Sequence, residues 1–318
     1  MDKMQLRTFQ AMSLGAKVAR TRNKIEEFYR HYDGKVYWSF SGGKDSTVLG
    51  HIIRGIYPDV PGVFCDTGLE YPEVREFVQG FDNVEWLRPA KTFKQVIEDH
   101  GYPVVSKKVS LMLYRITSPG QKSEKFRRQL MGEIMEDGRK SLYHIPEKWK
   151  KLIDAPFRCS DYCCAVMKKN PVKKYEKRTG RHPYIGMMAA DSLGREQGYL
   201  ATGCNAFDTG HPQSNPMGFW TEQDVLQYIR EHRLKIADVY SEMQNGVRVF
   251  QREQEDGTWK LQGCDRTGCM FCMFGVHMEK GPENRFQRMK KTHPAQWRYC
   301  MDKLGMRAVL EYIGIPCE

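Results

Sequence analysis

The chain has 318 residues, 40% of them hydrophobic, which suffices for one large α/β domain with an appendage or for two modest domains. Its 50 basic and 39 acidic residues give a formal net charge of +11, which attracts polyanions such as ATP, tRNA or DNA without selecting among them. No run of about eighteen apolar residues is present, and the polar start Met1-Asp2-Lys3 is unlike a secretion signal, so we expect a cytoplasmic protein with no membrane contact.

The first predicted elements are helical. Apolar residues recur at helical spacing between positions 5 and 31, which predicts one or two helices in an N-terminal region, 1–34. A β-rich run, 35–40, follows and stops at a serine and two glycines, and helical character resumes over 46–57. The order is therefore strand, glycine turn, helix.

The same alternation continues along the chain. The next predicted elements are strand 62–65, helix 73–80, strand 84–87, helix 93–99 and strand 184–188. Strands that alternate with helices at this spacing indicate parallel pairing with helices packed on both faces. We therefore predict an α/β fold with a mostly parallel sheet over residues 35–230.

A basic segment, 106–151, interrupts this pattern. Its cations include Lys107, Lys108, Arg115, Lys122, Lys125, Arg127, Arg128, Arg139 and Lys140. We predict a helical insertion or lid that contacts a polyanionic acceptor or closes over a nucleotide at the ligand edge of the sheet.

The predicted C-terminal region, 231–318, follows a helix that begins after the capping residue Thr221. Residues 247–261, broken by Glu255-Asp256-Gly257, predict a β-hairpin. A cysteine-rich segment and further helices complete the region.

The glycine turn has the features of a phosphate-binding loop. Gly42 and Gly43 directly after a strand let the backbone point successive N–H groups at an anion, and the helix that follows adds its positive end. Lys44 would lie against the phosphates, with hydroxyl hydrogen bonds from Ser41 and Ser46. Asp45 has two interpretations, a ligand of Mg²⁺ or a cap of the helix.

Ser41-Gly42-Gly43-Lys44-Asp45-Ser46 resembles the motif of PP-loop ATP pyrophosphatases, which cleave ATP between the α and β phosphates and commonly adenylate a substrate. The segment 66–73 is similar to the Asp-Thr-Gly-x-x-x-Pro-Glu segment of phosphoadenosine phosphosulfate (PAPS) reductases, and 163–171 to their Cys-Cys-x-x-Arg-Lys-x-x-Pro segment. The chain thus resembles the PAPS reductase-like branch of that superfamily, with an adenine nucleotide alpha hydrolase-like fold.

The resemblance implies site residues for ATP and Mg²⁺. The implied nucleotide-binding residues are Ser39, Ser41, Gly42, Gly43, Lys44, Asp45, Ser46, Asp66 and Thr67. The implied catalytic residues are Lys44, Asp45, Lys168 and Arg195. Lys168 and Arg195 lie in segments similar to phosphate-contact segments of the family, although a solvated surface cation is the alternative for each.

Two departures from the reductases bear on function. The chain keeps the loop of ATP users, and it lacks the Glu-Cys-Gly-x-His segment that carries the reductases' sulfur-attacking cysteine. The segment 266–272 looks like the Gly-Cys-x-x-Cys element in the ATP-hydrolysing component of DNA phosphorothioation systems. The resemblance therefore implies sulfur transfer to an adenylated acceptor, tRNA or DNA, with a cysteine desulfurase or another sulfur donor as partner. The alternatives are a sulfonucleotide reductase and a non-catalytic nucleic-acid-binding module.

The cysteines indicate a metal centre, because ten cysteines in a cytoplasmic chain are not expected to form structural disulfides. Four thiolates suffice for a zinc site or a [4Fe–4S] cluster. A Cys-Cys pair with a distant Cys-x-x-Cys resembles cluster-bearing adenosine phosphosulfate reductases, which implies Cys163, Cys164, Cys269 and Cys272 as cluster ligands. Zn²⁺ is the alternative metal, and Cys159 or Cys264 can replace one ligand.

Overall fold

The computed structural model describes residues 1–120, 123–134, 138–139 and 141–318, which form two interleaved compact units. The first unit consists of Met1–Asp66, Glu70–Arg88 and Val172–Thr267. The second consists of Thr67–Leu69, Pro89–Pro171 and Gly268–Glu318. The domain boundaries at 34 and 230 stay a prediction about folding units. Within the described residues, every helix is too short or too polar to cross a bilayer.

The strands are short. They are β1 (Val36–Ser39), β2 (Gly62–Cys65), β3 (Val84–Leu87), β4 (Val104–Val105), β5 (His182–Ile185), β6 (Asn205–Ala206), β7 (Gln213–Ser214), β8 (Glu242–Gln244), β9 (Val247–Val249), β10 (Gln251–Glu253), β11 (Trp259–Leu261) and β12 (Met273–Phe274).

The α-helices connect and extend them. They are α1 (Lys3–Gln10), α2 (Leu14–His31), α3 (Lys44–Arg54), α4 (Pro72–Gln79), α5 (Phe93–His100), α6 (Lys107–Thr117), α7 (Glu124–Met131), α8 (Tyr162–Cys164), α9 (Asn170–Thr179), α10 (Leu193–Thr202), α11 (Glu222–Glu231), α12 (Arg285–Thr292), α13 (Pro294–Arg298) and α14 (Met306–Tyr312). A π-helical turn, Ala165–Lys169, joins α8 to α9, and 3₁₀ turns cover Glu147–Ile153, Ala189–Asp191, Asp238–Tyr240 and Val276–Met278.

The first unit contains a six-stranded sheet in the order β3-β2-β1-β5-β7-β6. The pairs from β3 to β7 are parallel and only β6 runs antiparallel to β7. This confirms the predicted α/β class. Strand order reverses at β1, because β2 and β3 lie on one side of it and β5 on the other. A parallel sheet binds ligands at such a reversal, beyond the carboxyl ends of the strands.

Both faces of β1 are buried. Val36 and Trp38 join the large core of the first unit, whereas Tyr37, which points to the opposite face, packs with Val63 and with Tyr175 of α9. The Trp38 ring lies where a side chain at position 50 would be, since a Cβ on Gly50 of α3 would stand 2.1 Å from it. Helices therefore cover the sheet on both sides, and α3 packs unusually close to β1.

The N-terminal helices belong to the first unit. Ile25 and Phe28 of α2 are fully buried in its core. Lys17 of the same helix is also buried, and its Nζ lies 2.7 and 2.6 Å from the two carboxylate oxygens of Asp224. Asp224 also accepts a hydrogen bond from the backbone N–H of Thr221, at the start of α11. The buried ion pair therefore joins α2 to α11, and both of its charged groups form hydrogen bonds.

The second unit holds the basic insertion. Residues 106–151 contain α6, α7 and the start of a 3₁₀ turn, and the other described residues of this segment, among them 118–120 and 141–146, are not helical. Lys122 and Lys140 lie outside the described residues. A short parallel pair, β4 with β12, joins this part of the chain to the C-terminal segment.

Two sequence predictions are corrected in detail. The predicted hairpin 247–261 is two hairpins, because β9 pairs back onto β8 through Asn245-Gly246 while β10 pairs with β11. Both turn residues have positive φ, 49° and 78°, as a type I′ turn requires, and Asn-Gly is the local sequence signal of such a turn. The predicted strand 184–188 ends at Ile185, since Gly186 lies against the backbone of Asp45 and the chain then turns.

Candidate functional site

The glycine loop lies at the carboxyl end of β1 and leads directly into α3. Gly42 has φ +70°, a conformation that favours glycine, and Gly43 is the N-cap of α3 without a side-chain cap. The first N–H groups of α3 therefore depend on partners outside the helix. Ser39, at the end of β1, lies just before this loop.

Close packing fixes where the loop lies. A Cβ on Gly42 would stand 2.6 Å from Val74 Cγ1 of α4, and one on Gly43 would stand 3.0 Å from Thr267 Oγ1. A Cβ on Gly186 would approach the Asp45 carbonyl carbon to 3.1 Å. Side chains at these positions would displace the loop from its neighbours, so the glycines set its position as well as its conformation.

Hydroxyl groups hold the loop from inside. Ser46 Oγ accepts from the Ser41 N–H at 3.2 Å, donates to the Gly43 carbonyl at 2.9 Å and lies 3.0 Å from Ser41 Oγ. Ser41 Oγ also accepts a longer bond from the Gly43 N–H, at 3.3 Å. The hydroxyls of Ser41 and Ser46, which the sequence predicts to bind phosphate, therefore lie within hydrogen-bond distance of each other and of the backbone of the turn.

Lys44 is buried among carboxylates. Its side chain is 5% exposed, and its Nζ lies 3.3 Å from Asp45 Oδ1 and 3.4 Å from Glu222 Oε1. Burial alone would lower the pKa of Lys44, but the nearby charges of Asp45, Tyr240 and Glu222 outweigh it and raise the pKa. The lysine is therefore a fixed cation at the start of α3.

Asp45 lies among charges of both signs. Burial raises the pKa of its carboxyl group, Lys44 opposes this, and the carboxylates of Asp191 and Glu222 raise the pKa further. Its buried Oδ1 lies 3.3 Å from Lys44 Nζ and accepts no well-aligned hydrogen bond from a described residue. Carboxylate oxygens are the ligands that Mg²⁺ prefers, so the side chain of Asp45 fits the role of a ligand of that ion.

Asp191 was not singled out as a site residue from the sequence. Arg195 Nη1 contacts its Oδ2, and Arg266 Nη2 lies 3.6 Å from its Oδ1. Arg195 therefore lies in the first unit with the loop residues, as a partner of a carboxylate that acts on Asp45.

The predicted pair Asp66 and Thr67 follows β2. Asp66 is buried and is paired with Arg75, whose Nη2 donates to Oδ2 at 3.0 Å, while Arg88 Nε lies 3.8 Å away. Thr67 belongs to the second unit, where its hydroxyl accepts from the Leu69 N–H at 3.1 Å. Asp66 thus holds two cations at the carboxyl edge of the sheet.

Tyr240 is a site residue that sequence reasoning missed. Its hydroxyl accepts from the Lys44 backbone N–H at 3.0 Å and lies 2.9 Å from Thr267 Oγ1. The side chain is buried, and burial raises the pKa of the phenol to about 12. A neutral hydroxyl therefore accepts the hydrogen bond of the Lys44 N–H, one of the groups at the start of α3 that could donate to an anion. No local pattern predicts this contact, because 196 residues separate the partners.

The four cysteines proposed as ligands all belong to the second unit. Cys163 and Cys164 lie in α8 with their Sγ atoms 4.0 Å apart, and the Cys163 thiol interacts electrostatically with Cys269 and Cys272. The ten cysteines of the chain are thiols. Among the described residues no three histidine, cysteine or acidic groups are close enough for a single metal ion. Each thiolate of a cubane cluster binds its own iron atom, so four cysteines are a donor set that such a cluster can use.

The Cys-x-x-Cys segment is anchored by its backbone. The Cys272 N–H donates to the Cys269 carbonyl at 3.1 Å, which closes the turn. The Met270 N–H donates to the Leu69 carbonyl, and Arg285 Nη1 donates to the Cys272 carbonyl at 3.0 Å. Both thiols are therefore held in place by main-chain contacts within the second unit.

Nearby cations favour a thiolate at Cys164. The hydrogen bond with Cys163, which is the largest cause, and the charges of Lys107 and Lys168 together lower the pKa of Cys164 to about 6 against the effect of burial. Burial raises the pKa of Cys272 to about 11. Lys168, predicted as a phosphate contact, therefore acts on a cysteine within its own unit.

Cys159 and Cys264, the alternative cluster ligands, have neighbours different from those of the four proposed ligands. Cys159 is buried beside β4, and burial alone raises the pKa of its thiol to about 12. Cys264 belongs to the first unit, where its Sγ contacts the Arg266 carbonyl at 2.9 Å and the Tyr71 hydroxyl at 3.9 Å.

A known protein family accounts for most of the chain. The model of the phosphoadenosine phosphosulfate reductase domain matches residues 35–115 and 122–274. This span includes the glycine loop and all four proposed cysteine ligands.

Individual relatives are more distant. An uncharacterized protein of Methanocaldococcus jannaschii is 34% identical over 87 residues, which is 25% of this chain and 21% of that protein, so this chain matches about a fifth of its length. The structure of PAPS reductase from Candida auris in complex with phosphate is similar at a TM-score of 0.40 and 13% identity, over 78% of this chain and 98% of that chain. The structure of the U34-tRNA thiolase NcsA from Methanococcus maripaludis with its [4Fe-4S] cluster is similar at a TM-score of 0.35 and 13% identity, over 96% of this chain and 83% of that chain.

We expect Lys44→Ala and Ser41→Ala to weaken ATP binding about tenfold or more, because each removes a polar contact to a charged phosphate chain. Isothermal titration calorimetry measures the affinity, and thermal unfolding checks that the variants fold. Lys35→Ala, which removes an exposed lysine just before β1, is the matched control and should bind as wild type does. Unchanged affinity in both loop variants would contradict the phosphate assignment.

We expect Tyr240→Phe to destabilise the free protein by about 1–3 kcal/mol, because the buried Lys44 N–H loses its acceptor. Pyrophosphate should then bind the variant about fivefold more tightly. In the wild type the Lys44 N–H must give up the Tyr240 hydroxyl to bind the ligand, whereas in the variant it has no such hydrogen bond to give up. Tyr228→Phe is the control, because it also removes a buried hydroxyl from a hydrogen bond in the first unit, the one with His51 Nδ1 at 2.9 Å, away from the glycine loop. It should lose stability without a gain in affinity. Weaker pyrophosphate binding by Tyr240→Phe would show that the hydroxyl contacts the ligand instead.

We expect Cys269→Ser and Cys272→Ser to lose iron and the visible absorption of thiolate–iron charge transfer after anaerobic purification. Iron and labile sulfide assays give the stoichiometry. Cys159→Ser, which changes a buried thiol whose pKa is set by burial alone, should retain iron. Stoichiometric zinc with neither iron nor sulfide in the wild type would show a structural site.

Proposed function

Because the chain belongs to the phosphoadenosine phosphosulfate reductase domain family, within the PP-loop superfamily, we propose that it is an ATP pyrophosphatase that adenylates an acceptor and takes part in sulfur transfer. The observation that carries this proposal is the start of α3, where a glycine loop, a buried lysine and the carboxylate of Asp45 meet at the reversal of strand order. This is a site for a polyphosphate with a divalent cation.

The reaction follows from the charges of the loop. An oxygen of the acceptor forms a bond to the α-phosphorus of ATP, and the bond from that phosphorus to the bridging oxygen of pyrophosphate breaks. Negative charge grows on the leaving group, where Lys44 and the positive end of α3 stabilise it. The hydroxyls of Ser41 and Ser46 orient the phosphates. Mg²⁺ held by Asp45, with Asp191 as a second carboxylate, would neutralise the remaining charge.

The cysteine group of the second unit supports the sulfur half of the proposal. Cys163, Cys164, Cys269 and Cys272 would hold a [4Fe–4S] cluster, which when bound offers iron to a sulfur ligand. A thiol reductant releases the donor's persulfide sulfur at the sulfide level, and this sulfur attacks the acceptor atom that carries the adenylated oxygen. The bond to sulfur forms, the bond from that atom to the oxygen breaks, and AMP leaves with the oxygen. The acceptor that we propose is a nucleic acid, tRNA or DNA, and the sulfur comes from a cysteine desulfurase or another donor protein.

A sulfonucleotide reductase is the second candidate, because it is the activity after which the family is named. It requires a reactive thiol. Cys317 is buried, and burial raises the pKa of its thiol, which is the reverse of what a nucleophile needs. The loop chemistry and this buried cysteine together favour the pyrophosphatase.

We expect ATP and Mg²⁺ to yield pyrophosphate, with AMP or adenylated acceptor, when the anaerobic protein is incubated with a total tRNA or DNA fraction. Phosphorus NMR separates these products from ADP and phosphate. Lys44→Ala should slow the release about 100-fold or more, as the loss of one donor to developing charge does in other enzymes. Thioredoxin-dependent sulfite release from PAPS, without pyrophosphate from ATP, would favour the reductase instead.

A further inference from the structure

A groove in the first unit lies outside the glycine loop and has no part in the proposed reaction. Its volume is about 660 Å³, and its walls come from α4, from α11 with the chain that follows it, and from the hairpin of β10 and β11. Phe77, Phe250 and Trp259 are among its lining residues, and each is half-buried. The groove therefore offers aromatic surface to a ligand.

Cations surround this aromatic surface. Arg230, Arg233, Lys235 and Arg248 line the groove, and the last three are exposed. Asp238 is the single carboxylate among the described residues that line it, and it already lies 3.2 Å from Arg248. The excess positive charge favours a ligand with more than one negative charge.

One cation is fixed on a ring. The guanidinium carbon of Arg230 lies 3.9 Å from the centre of the Trp259 ring, and Arg230 Nη1 donates to Gln251 Oε1 at 3.1 Å. This stack shows that the Trp259 ring and a planar cation share one wall. A second flat ring can stack against the same wall.

Single-stranded nucleic acid combines these properties. Its unpaired bases present flat faces that stack on aromatic side chains and on arginine, and its phosphates repeat along the chain. The exposed pair Arg233 and Lys235, at the mouth of the groove, would meet successive phosphates. A duplex cannot use the groove in this way, because its bases are stacked within the helix.

We propose that this groove binds a single-stranded segment of RNA or DNA, with a base against Trp259 and phosphates on Arg233 and Lys235. The inference deepens the proposed function, because it assigns a surface to the nucleic-acid acceptor. It does not depend on ATP, and binding is measurable without turnover.

The hairpin supplies a matched control. Gln251 and Trp259 point to the groove, whereas Arg252 and Lys260, which pair with each other across the two strands, point to the opposite face. Both are exposed. The double variant Arg252→Gln/Lys260→Gln therefore removes the same charge as Arg233→Gln/Lys235→Gln, from the same region but outside the groove.

Fluorescence anisotropy with labelled single-stranded oligoribonucleotides and oligodeoxyribonucleotides, and with the matching duplexes, tests the proposal over a salt series. The groove double variant should bind single strands more weakly, and the slope of log affinity against log salt should fall by about one for each phosphate that is no longer neutralised. Trp259→Ala should weaken binding about tenfold or more, and Trp259→Phe, which keeps a ring, much less. The opposite-face variant should bind as wild type does.

Equal binding by the two double variants would overturn the proposal. So would a loss of binding confined to Arg127→Glu, which would move the nucleic-acid surface to the basic insertion, or displacement of the oligonucleotide by an acidic peptide at equal charge. Intact binding in the groove together with no pyrophosphate release from ATP would refute the proposed reaction and leave this inference standing.

Discussion

The approach of α3 to the ends of β1 and β5 is the constraint on which the first unit depends. Trp38 fills the place of a side chain at position 50, and the Asp45 backbone fills the place of one at 186. These contacts exist only because both positions are glycine. They bring the N-terminus of a helix, with its first N–H groups and its positive end, to the point where strand order reverses. Any larger residue would separate the helix from the sheet.

The charged side chains around this helix end are paired with one another. Lys44 is held by Asp45 and Glu222, Asp191 by two arginines, and Asp66 by two more. Asp45 is only partly stabilised in this arrangement, because burial raises the pKa of its carboxyl group and the carboxylates of Asp191 and Glu222 raise it further, against the opposing charge of Lys44. A polyanion that binds together with a cation would pair with Lys44 while its cation pairs with Asp45. Each buried charge would therefore keep a partner of opposite sign when the ligand binds.

The sequence was informative wherever the cause of a structure is local. Strand, glycine pair and helix at positions 36–54 follow from adjacent residues, and the family match confirms the resemblance drawn from the loop. The role of Tyr240 depends on a partner far away in the chain, so no spacing rule could find it. The same holds for Asp191, whose effect on Asp45 requires the folded sheet. The two-hairpin arrangement was within reach, because Asn245-Gly246 is a local turn signal.

The interleaving of the two units has a consequence for the order in which the protein is made. The last residue of the first unit is Thr267, whereas the second unit needs Gly268–Glu318 to complete the fold begun at Pro89. On the ribosome, the first unit can close while β4 still lacks β12 and the Cys163-Cys164 pair still lacks Cys269 and Cys272. The nascent chain therefore carries two vicinal thiols through the synthesis of about a hundred residues, up to Cys269, and an unpaired strand through about 170, up to β12. Chaperones and the machinery that protects thiols from oxidation would act on the chain during that interval.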